Sequence, residues 1–197
     1  MDRRRLLQGP AAWLVARPLP AAASGVTVLL RTSLGDVEIE VDPARAPVTA
    51  ANFLRYVEGG YYDGGRFHRT VRLDNQPGKT VLIEVVQAGV SPTPARAGFE
   101  PIRLERTRDT GLRHRDGTVS MARAEPDSAT SDFFVCIGDQ PELDFGGKRN
   151  RDGQGFAAFG RVVKGMDVVR RIQLAPADGQ ALTPPVPILS AGVSPRP

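Results

Sequence analysis

Few residues in this chain could act as a nucleophile or bind a metal ion. There is one cysteine, Cys136, in the apolar run Phe133-Phe134-Val135-Cys136-Ile137, which is typical of a buried strand. We therefore interpret Cys136 as a small core residue. The only histidines are His68 and His114, and the chain has no CxxC or HExxH pattern. These residues therefore indicate neither a reactive thiol nor a metal site.

Three segments of the chain together carry a family pattern. They are 61–69 (YYDGGRFHR), 117–124 (GTVSMARA) with 131–135 (SDFFV), and 143–144 (LD) with 156–169 (FAAFGRVVKGMDVV). In this order they resemble the cyclophilin-type peptidyl-prolyl cis/trans isomerases, over roughly residues 26–172. One such segment is weak evidence, whereas three in the order of the family are strong evidence.

The resemblance implies both a fold and an activity. The fold is mainly β, a closed eight-stranded antiparallel β-barrel flanked by two α-helices. The activity is the interconversion of cis and trans X–Pro bonds in proline-containing polypeptide substrates. Rotation about a peptide bond costs about 18–20 kcal/mol, because resonance gives the C–N bond double-bond character. No covalent bond breaks, so the implied reaction needs no nucleophile, metal ion or other cofactor. The site has only to bind the twisted amide better than either planar form.

By this resemblance, Arg69 is the catalytic arginine. The prolyl nitrogen regains its lone pair in the twisted state, and a permanently charged, rigid guanidinium can donate a hydrogen bond to it. Without the family pattern, an arginine here would more often be a surface residue in a salt bridge. His68 precedes Arg69 and is expected to line the edge of the site, although the reaction moves no proton.

The glutamine that orients the arginine in this family corresponds to Gln87. Arg69 and Gln87 enclose 17 residues (70–86) instead of the usual seven, and the excess includes the turn-rich stretch 73–79. We interpret the excess as an extended surface loop between two barrel strands. Gln76 is an alternative candidate, but it lies in the turn cluster and lacks the glycine pattern that follows Gln87.

The proline ring needs an apolar pocket beside the arginine. The resemblance assigns substrate binding to Met121, Ala122, Arg123, Phe134 and Leu143, with Phe156 at the far side of the pocket. Ala122 and Arg123 would line the groove and bind an extended peptide through their backbone. Without the family pattern, Met121, Phe134 and Leu143 would be assigned to the core.

Four positions depart from the family pattern. Glu84 replaces a pocket aromatic residue, Asp132 a groove glutamine, Glu142 a tryptophan and Phe156 a histidine. Losing aromatic side chains reduces apolar burial, which contributes about 25 cal/mol per Å². We therefore expect weaker peptide binding than in a typical member. A weak or inactive peptide-binding or chaperone module on the same barrel is the alternative function.

The elements that must position these residues are mostly strands. Alternating and β-branched patterns predict a hairpin over 26–41, strands near 65–71, 81–88, 117–121, 132–137 and 156–163, and a tail near 186–193 that could return as a final strand. Helices are predicted between Pro47 and Gly59, and over residues 164–172. Such a composition favours an antiparallel barrel or sandwich, and periodicity alone leaves both open.

The N-terminal segment, residues 1–23, has the features of an export signal. Arg3-Arg4-Arg5-Leu6-Leu7 resembles a twin-arginine signal, and Ala21-Ala22-Ala23 is a small-residue cleavage pattern. The apolar stretch is short and interrupted, whereas a membrane span needs about 20 apolar residues. We expect one isomerase domain over residues 24–197, in a monomeric protein that is periplasmic or secreted.

The charge distribution argues against a nucleic-acid-binding function. The formal net charge is +4, but residues 1–23 contribute +3 of it, so the rest of the chain carries only about +1. A nucleic-acid-binding domain usually shows a strong basic bias. The sequence therefore predicts no nucleic-acid partner.

Overall fold

A computed structural model of the chain describes residues 25–91 and 97–194. The predicted export signal, residues 1–23, lies outside these ranges. Within them, no helix is both long and apolar enough to cross a membrane. The same ranges contain no group of three or more His, Cys, Asp or Glu side chains that could hold a metal ion.

Nine strands and three α-helices make up the described part of the chain. The strands are β1 (Val26–Thr32), β2 (Gly35–Val41), β3 (Arg66–Val71), β4 (Val85–Gly89), β5 (Thr118–Met121), β6 (Phe133–Cys136), β7 (Ala157–Lys164), β8 (Ala177–Asp178) and β9 (Ala181–Val193). The helices are α1 (Pro47–Glu58), α2 (Thr107–Thr110) and α3 (Met166–Gln173), and a 3-10 turn covers Pro141–Leu143.

Eight of the strands close into an antiparallel barrel. Their order around the barrel is β1-β2-β7-β5-β6-β4-β3-β9, and β9 pairs again with β1. β8 pairs with β9 as a short hairpin. The barrel predicted from the sequence is confirmed, with α1 and α3 as the two predicted helices and the single-turn α2 in addition.

Alternation along the strands fills the barrel interior. Val28 and Leu30 on β1, and Val37, Ile39 and Val41 on β2, are fully buried, as a period of two residues requires. The ring of Phe53 on α1 packs against three aromatic rings of the core at centroid distances of 4.9–5.5 Å, namely Tyr62, Phe133 and Phe159. Helix α1 therefore belongs to the same core as the strands.

A distant carboxylate caps the N-terminus of α1. Pro47 occupies the first turn, where its missing N–H costs no hydrogen bond. The two free backbone N–H groups of Val48 and Thr49 donate to the carboxylate of Glu105 at 3.1 and 2.8 Å. This carboxylate ties the helix to the long connection between β4 and β5.

A second, smaller apolar cluster lies outside the barrel interior. Consecutive residues of β6 alternate between the two clusters: Phe133 and Val135 belong to the interior, whereas Phe134 and Cys136 belong to the second cluster. Leu143 also belongs to the second cluster and covers it from the 3-10 turn. Cys136 is fully buried, as predicted.

The excess residues between β3 and β4 fold down onto the barrel. The sequence pattern predicted a strand from about residue 81, but β4 begins at Val85. Gln76 is only 5% exposed, and its amide bonds to Arg72 O and to both the N–H and C=O of Ile83. These bonds occupy the backbone of Ile83, so residues 72–84 form a loop around Gln76 instead of a longer strand.

Candidate active site

Three of the predicted site residues lie in one row across neighbouring strands. Arg69 on β3 stands opposite Gln87 on β4, and Gln87 stands opposite Phe134 on β6. Directly opposed residues of antiparallel strands point to the same face of a sheet. All three side chains consequently line one cleft with a volume of about 390 Å³.

The cleft has an apolar floor and a polar rim. The floor consists of Ile83, Val85, Ala122, Phe134, Leu143 and Phe156. The rim consists of Arg69, Lys79, Gln87, Arg123, Arg149 and Asn150. A larger cavity, of about 760 Å³, lies beside β2 and β7 and contains none of the predicted site residues.

Two glutamines hold the guanidinium of Arg69. Its Nη1 donates to Oε1 of Gln87 at 3.0 Å, and its Nε and Nη2 donate to Oε1 of Gln180 at 3.0 and 2.6 Å. Partial burial lowers the pKa of Arg69. An arginine starts from so high a pKa that the group stays charged. The cleft therefore presents a fixed cation beside an apolar floor.

Asp132 sets the orientation of the Gln87 amide. An ionised carboxylate only accepts hydrogen bonds, and Oδ2 of Asp132 lies 3.0 Å from Nε2 of Gln87. The amide nitrogen must therefore face Asp132, which leaves the amide oxygen for Arg69. The departure from glutamine at position 132 thus supports the arginine through Gln87.

His68 lies next to this hydrogen-bonded chain. Its Nε2 is 3.5 Å from Oδ2 of Asp132, and its side chain is 31% exposed. It does not line the cleft itself. The structure thus places His68 behind Asp132, at the edge of the site.

Met121 lies in the barrel interior and not in the groove. It is 1% exposed, belongs to the main core cluster and pairs in register with Phe133, which is also interior. The assignment of Met121 to the groove is therefore wrong. Side chains alternate along an extended chain, so Met121 and Ala122 point to opposite faces. Ala122 lines the cleft and Met121 supports it from within.

Arg123 offers its backbone to the groove, because its side chain is already bound. The side chain is only 1% exposed, and its terminal nitrogens donate to Asp152 at 2.8 and 3.0 Å. Its Nε donates to Gly155 O at 2.9 Å. Hydrogen bonds from Arg123 hold the pKa of Asp152 below its usual value. The Arg123 guanidinium therefore fixes the loop around Asp152.

Aromatic packing builds the floor. The rings of Phe134 and Phe156 meet edge to face at 5.3 Å, and Leu143 is buried beside them. Glu84 does not enter the cleft, because its carboxylate accepts from Gln173 of α3 at 3.2 Å. Ile83 takes the cleft side instead, so the loss of an aromatic residue at position 84 is partly offset.

Sequence reasoning missed Gln180, which holds Arg69, and the rim residues Lys79, Arg149 and Asn150. Gln180 comes from the β8–β9 turn, and Arg149 and Asn150 come from the segment after the 3-10 turn. All three are far from Arg69 in sequence and stand in turn-rich segments, where neither periodicity nor spacing indicates a partner. The Asp178-Gly179-Gln180 turn predicts a reversal of the chain, but not the residue that it meets.

A buried Ser120–His114–Asp144 chain lies beneath the floor. His114 Nδ1 is 2.8 Å from Asp144 Oδ1, and His114 Nε2 is 2.9 Å from Ser120 Oγ. A serine bonded to a histidine that is bonded to an aspartate is the arrangement of a hydrolase triad. Ser120 is fully buried, however, and the His114 ring stacks on Phe134 at 6.0 Å. No substrate reaches this serine, so the chain supports Phe134 instead of acting as a nucleophile.

The sequence matches a known family model and several curated proteins. Residues 27–193 match the model described as cyclophilin type peptidyl-prolyl cis-trans isomerase/CLD. The chain is 43% identical over 158 residues to peptidyl-prolyl cis-trans isomerase A of Dickeya dadantii, covering 79% of this chain and 75% of that protein. It is 35% identical over 147 residues to peptidyl-prolyl cis-trans isomerase B of Escherichia coli, covering 74% and 83%.

The fold also matches a solved structure. This is a cyclophilin-type peptidyl-prolyl cis-trans isomerase of Cryptosporidium parvum, crystallised in the presence of the dipeptide Ala-Pro. The two share a TM-score of 0.69 and 21% identity, over 86% of this chain and 99% of the other. At this identity the likeness supports the fold alone.

Proposed function

The chain belongs to the cyclophilin-type peptidyl-prolyl cis-trans isomerase family and catalyses cis/trans isomerisation of X–Pro bonds. On this premise, we propose that Arg69 is the residue that stabilises the twisted amide. Uncatalysed X–Pro isomerisation takes tens of seconds at 25 °C. A donor that binds the twisted prolyl amide more tightly than the planar forms lowers this barrier without any covalent step.

The hydrogen bonds of Arg69 are the observation that carries the proposal. Of the five N–H donors of an arginine, Gln87 and Gln180 take one from each of the three nitrogens. One N–H on Nη1 and one on Nη2 remain for a substrate. Because the glutamines fix the plane of the guanidinium, these donors are oriented before the substrate arrives, which is the condition for effective electrostatic stabilisation.

The floor of the cleft is suited to a proline ring. Phe134, Leu143 and Phe156 provide apolar surface beside Arg69, and the exposed backbone at Ala122 and Arg123 provides polar groups for an extended chain. The solved relative was crystallised with Ala-Pro. We assign proline-containing polypeptides as substrates on these grounds.

The test is the rate of isomerisation of an X–Pro peptide by Arg69→Ala. Removing a preorganised donor should lower kcat/KM by about two to three orders of magnitude. Arg31→Ala, which removes an exposed arginine of β1, is the matched control and should keep the wild-type rate. A near-normal rate for Arg69→Ala would exclude this role. If the wild type itself did not accelerate isomerisation but still bound the peptide, the peptide-binding alternative would be favoured.

We also infer that the protein is exported and assists the folding of exported proteins. The support is the sequence of residues 1–23, with three consecutive arginines and a small-residue site at Ala21-Ala22-Ala23. Expressing the whole chain and a form that begins at Ser24 in a bacterium, followed by cell fractionation, tests this. The whole chain should leave the cytoplasm and the shorter form should not, and equal retention of both would refute export.

A further inference from the structure

The rim of the cleft is unusually rich in cations. Four basic residues border it, Arg69, Lys79, Arg123 and Arg149, and no acidic residue does. Arg123 faces the cleft with its backbone, because its side chain is only 1% exposed. Asp132 lies behind Gln87 and contributes one negative charge, and Asp152 is paired with Arg123. The charged side chains at the cleft therefore include more cations, Arg69, Lys79 and Arg149, than anions.

Three of these cations have no anionic partner. In residues 25–91 and 97–194, Arg69 bonds only to glutamine oxygens, and Arg149 donates from Nη1 to Gln76 Oε1 and Val81 O at 2.8 and 2.7 Å. Lys79 is exposed at the mouth and forms no ion pair within the same ranges. Only Arg123 is neutralised, by Asp152.

Arg69 and Arg149 repel one another across the cleft. The pKa of Arg149 is lowered, first by burial and then by the positive charge of Arg69. Two like charges in a partly buried site raise the free energy of the empty cleft. An anion placed near both would remove this cost and gain a charge-assisted hydrogen bond.

An unused donor lies in the same place. Nδ2 of Asn150 is buried and has no hydrogen-bond partner among the described residues, although Asn150 lines the cleft. A buried unsatisfied donor costs free energy, and an acceptor atom of a ligand in the cleft would remove that cost. A donor, two arginines and a lysine together favour a ligand rich in acceptor oxygens.

We propose that the cleft selects X–Pro segments in which a residue adjacent to the proline carries a negative charge. The proline ring occupies the Phe134 and Phe156 floor, and the anionic side chain reaches Arg149, Lys79 and Asn150 on the Arg69 side of the cleft. This selection rests on the proposed function of the cleft as the isomerase site and names its substrate class.

The loop of residues 72–84 makes this selection possible. It carries Lys79 to the rim, and its buried Gln76 holds the Arg149 guanidinium through Oε1. Val81 O holds the same nitrogen from the other end of the loop. The ten residues by which this chain exceeds the family pattern would thus confer substrate selectivity in addition to connecting two strands.

The experiment compares glutamate peptides with their neutral glutamine counterparts. Ala-Glu-Pro-Ala and Ala-Gln-Pro-Ala place the charge before the proline, and Ala-Ala-Pro-Glu-Ala and Ala-Ala-Pro-Gln-Ala place it after. The exchange rate of each is measured by NMR. For at least one position, kcat/KM should favour glutamate by about fivefold at low salt, the factor that about 1 kcal/mol gives. This ratio should fall as salt shortens the Debye length.

Matched variants assign the effect to the rim. Lys79→Gln and Arg149→Gln should each reduce the glutamate-to-glutamine ratio, and Lys79→Gln, at an exposed loop position, does so without touching Gln76. Lys164→Gln removes the same charge from the exposed end of β7 and should leave the ratio unchanged. Equal rates for glutamate and glutamine at both positions would overturn the selectivity while leaving the isomerase function intact. No catalysis of any of the four peptides would instead refute the proposed function of the cleft.

Discussion

Gln180 binds Arg69 by two hydrogen bonds to a single oxygen, from Nε at 3.0 Å and from Nη2 at 2.6 Å. Gln180 is itself held by its Nε2, which donates to Asn75 O at 3.0 Å in the loop between β3 and β4. The arginine that we propose as catalytic is therefore held by two glutamines that are far apart in the sequence, Gln87 and Gln180. It is also coupled to the loop that distinguishes this chain.

Gln180→Ala should slow isomerisation without preventing folding. Hydrogen bonds to a charged group contribute about 1.5–3 kcal/mol, so we expect kcat/KM to fall by about ten- to a hundredfold. The loss should appear mainly in kcat, because Gln180 does not line the floor that binds the proline ring. Gln180→Glu keeps an acceptor oxygen and should recover much of the rate. If the alanine variant matched the wild type in kcat, Gln180 would have no positioning role.

Deleting residues 73–82 should leave a folded barrel. Val71 and Val85 pair in register, so the deletion joins Arg72 to Ile83 and leaves a short hairpin loop of a common length. Thermal unfolding followed by near-ultraviolet circular dichroism should show one cooperative transition at a lower Tm, because Gln76 and its hydrogen bonds are lost. The glutamate preference should disappear as well. A deletion variant that is unfolded at room temperature would show that the loop is part of the barrel core.

Cys136 should not react with thiol reagents in the folded protein. It is fully buried, and burial raises the pKa of its thiol well above the usual value. The thiolate is the reactive form, so an aromatic disulfide reagent should label Cys136 only after unfolding in guanidinium chloride. Isomerase activity should survive both this reagent and a metal chelator. Rapid labelling of native protein, or loss of activity on chelation, would contradict these expectations.

Asp144 should make stability depend on pH in the acid range. Burial alone would raise the pKa of Asp144, but hydrogen bonds from the His114 side chain and backbone, with the charge of Arg113, lower it overall. A lowered folded-state pKa stabilises the protein above the unfolded-state pKa, and this contribution is lost as the pH falls below about 4.

The measurement is the free energy of unfolding of wild type and Asp144→Asn by urea at several pH values. The advantage of the wild type should be constant above about pH 5 and shrink below about pH 4. Asp74→Asn, at a carboxylate that is 76% exposed, is the control and should follow the wild type. An advantage that stays constant down to the acid limit would show that the Asp144 charge does not contribute.

The sequence predicted the barrel well because its strands carry a clear signal. Val37, Ile39 and Val41 alternate with Asp36, Glu38 and Glu40, and the structure buries all three apolar side chains. The pattern failed between β3 and β4, where Val81, Leu82 and Ile83 read as a strand. There, the side chain of Gln76 occupies the backbone groups of Ile83, a tertiary interaction that periodicity does not contain.

The site was predictable only where it lies on strands. Arg69, Gln87 and Phe134 stand in register on β3, β4 and β6, and the family pattern pointed to each of them. Met121 was placed on the wrong face because a resemblance assigns positions without testing which side of a strand they face. Gln180 and Arg149 were missed because turns bring them to Arg69, and turn residues carry no periodicity.

The pairing of β1 with β9 has a consequence for the order in which the protein can be completed. Val28 pairs with Val193, so the first strand to be synthesised finds its second neighbour only when the last one emerges. At about 5–20 residues per second, β1 waits about 8–30 s with one edge unpaired. An unpaired edge invites pairing with other chains. β1 therefore keeps one edge open to pairing with other chains until β9 emerges, and a truncation inside β9 would leave that edge open.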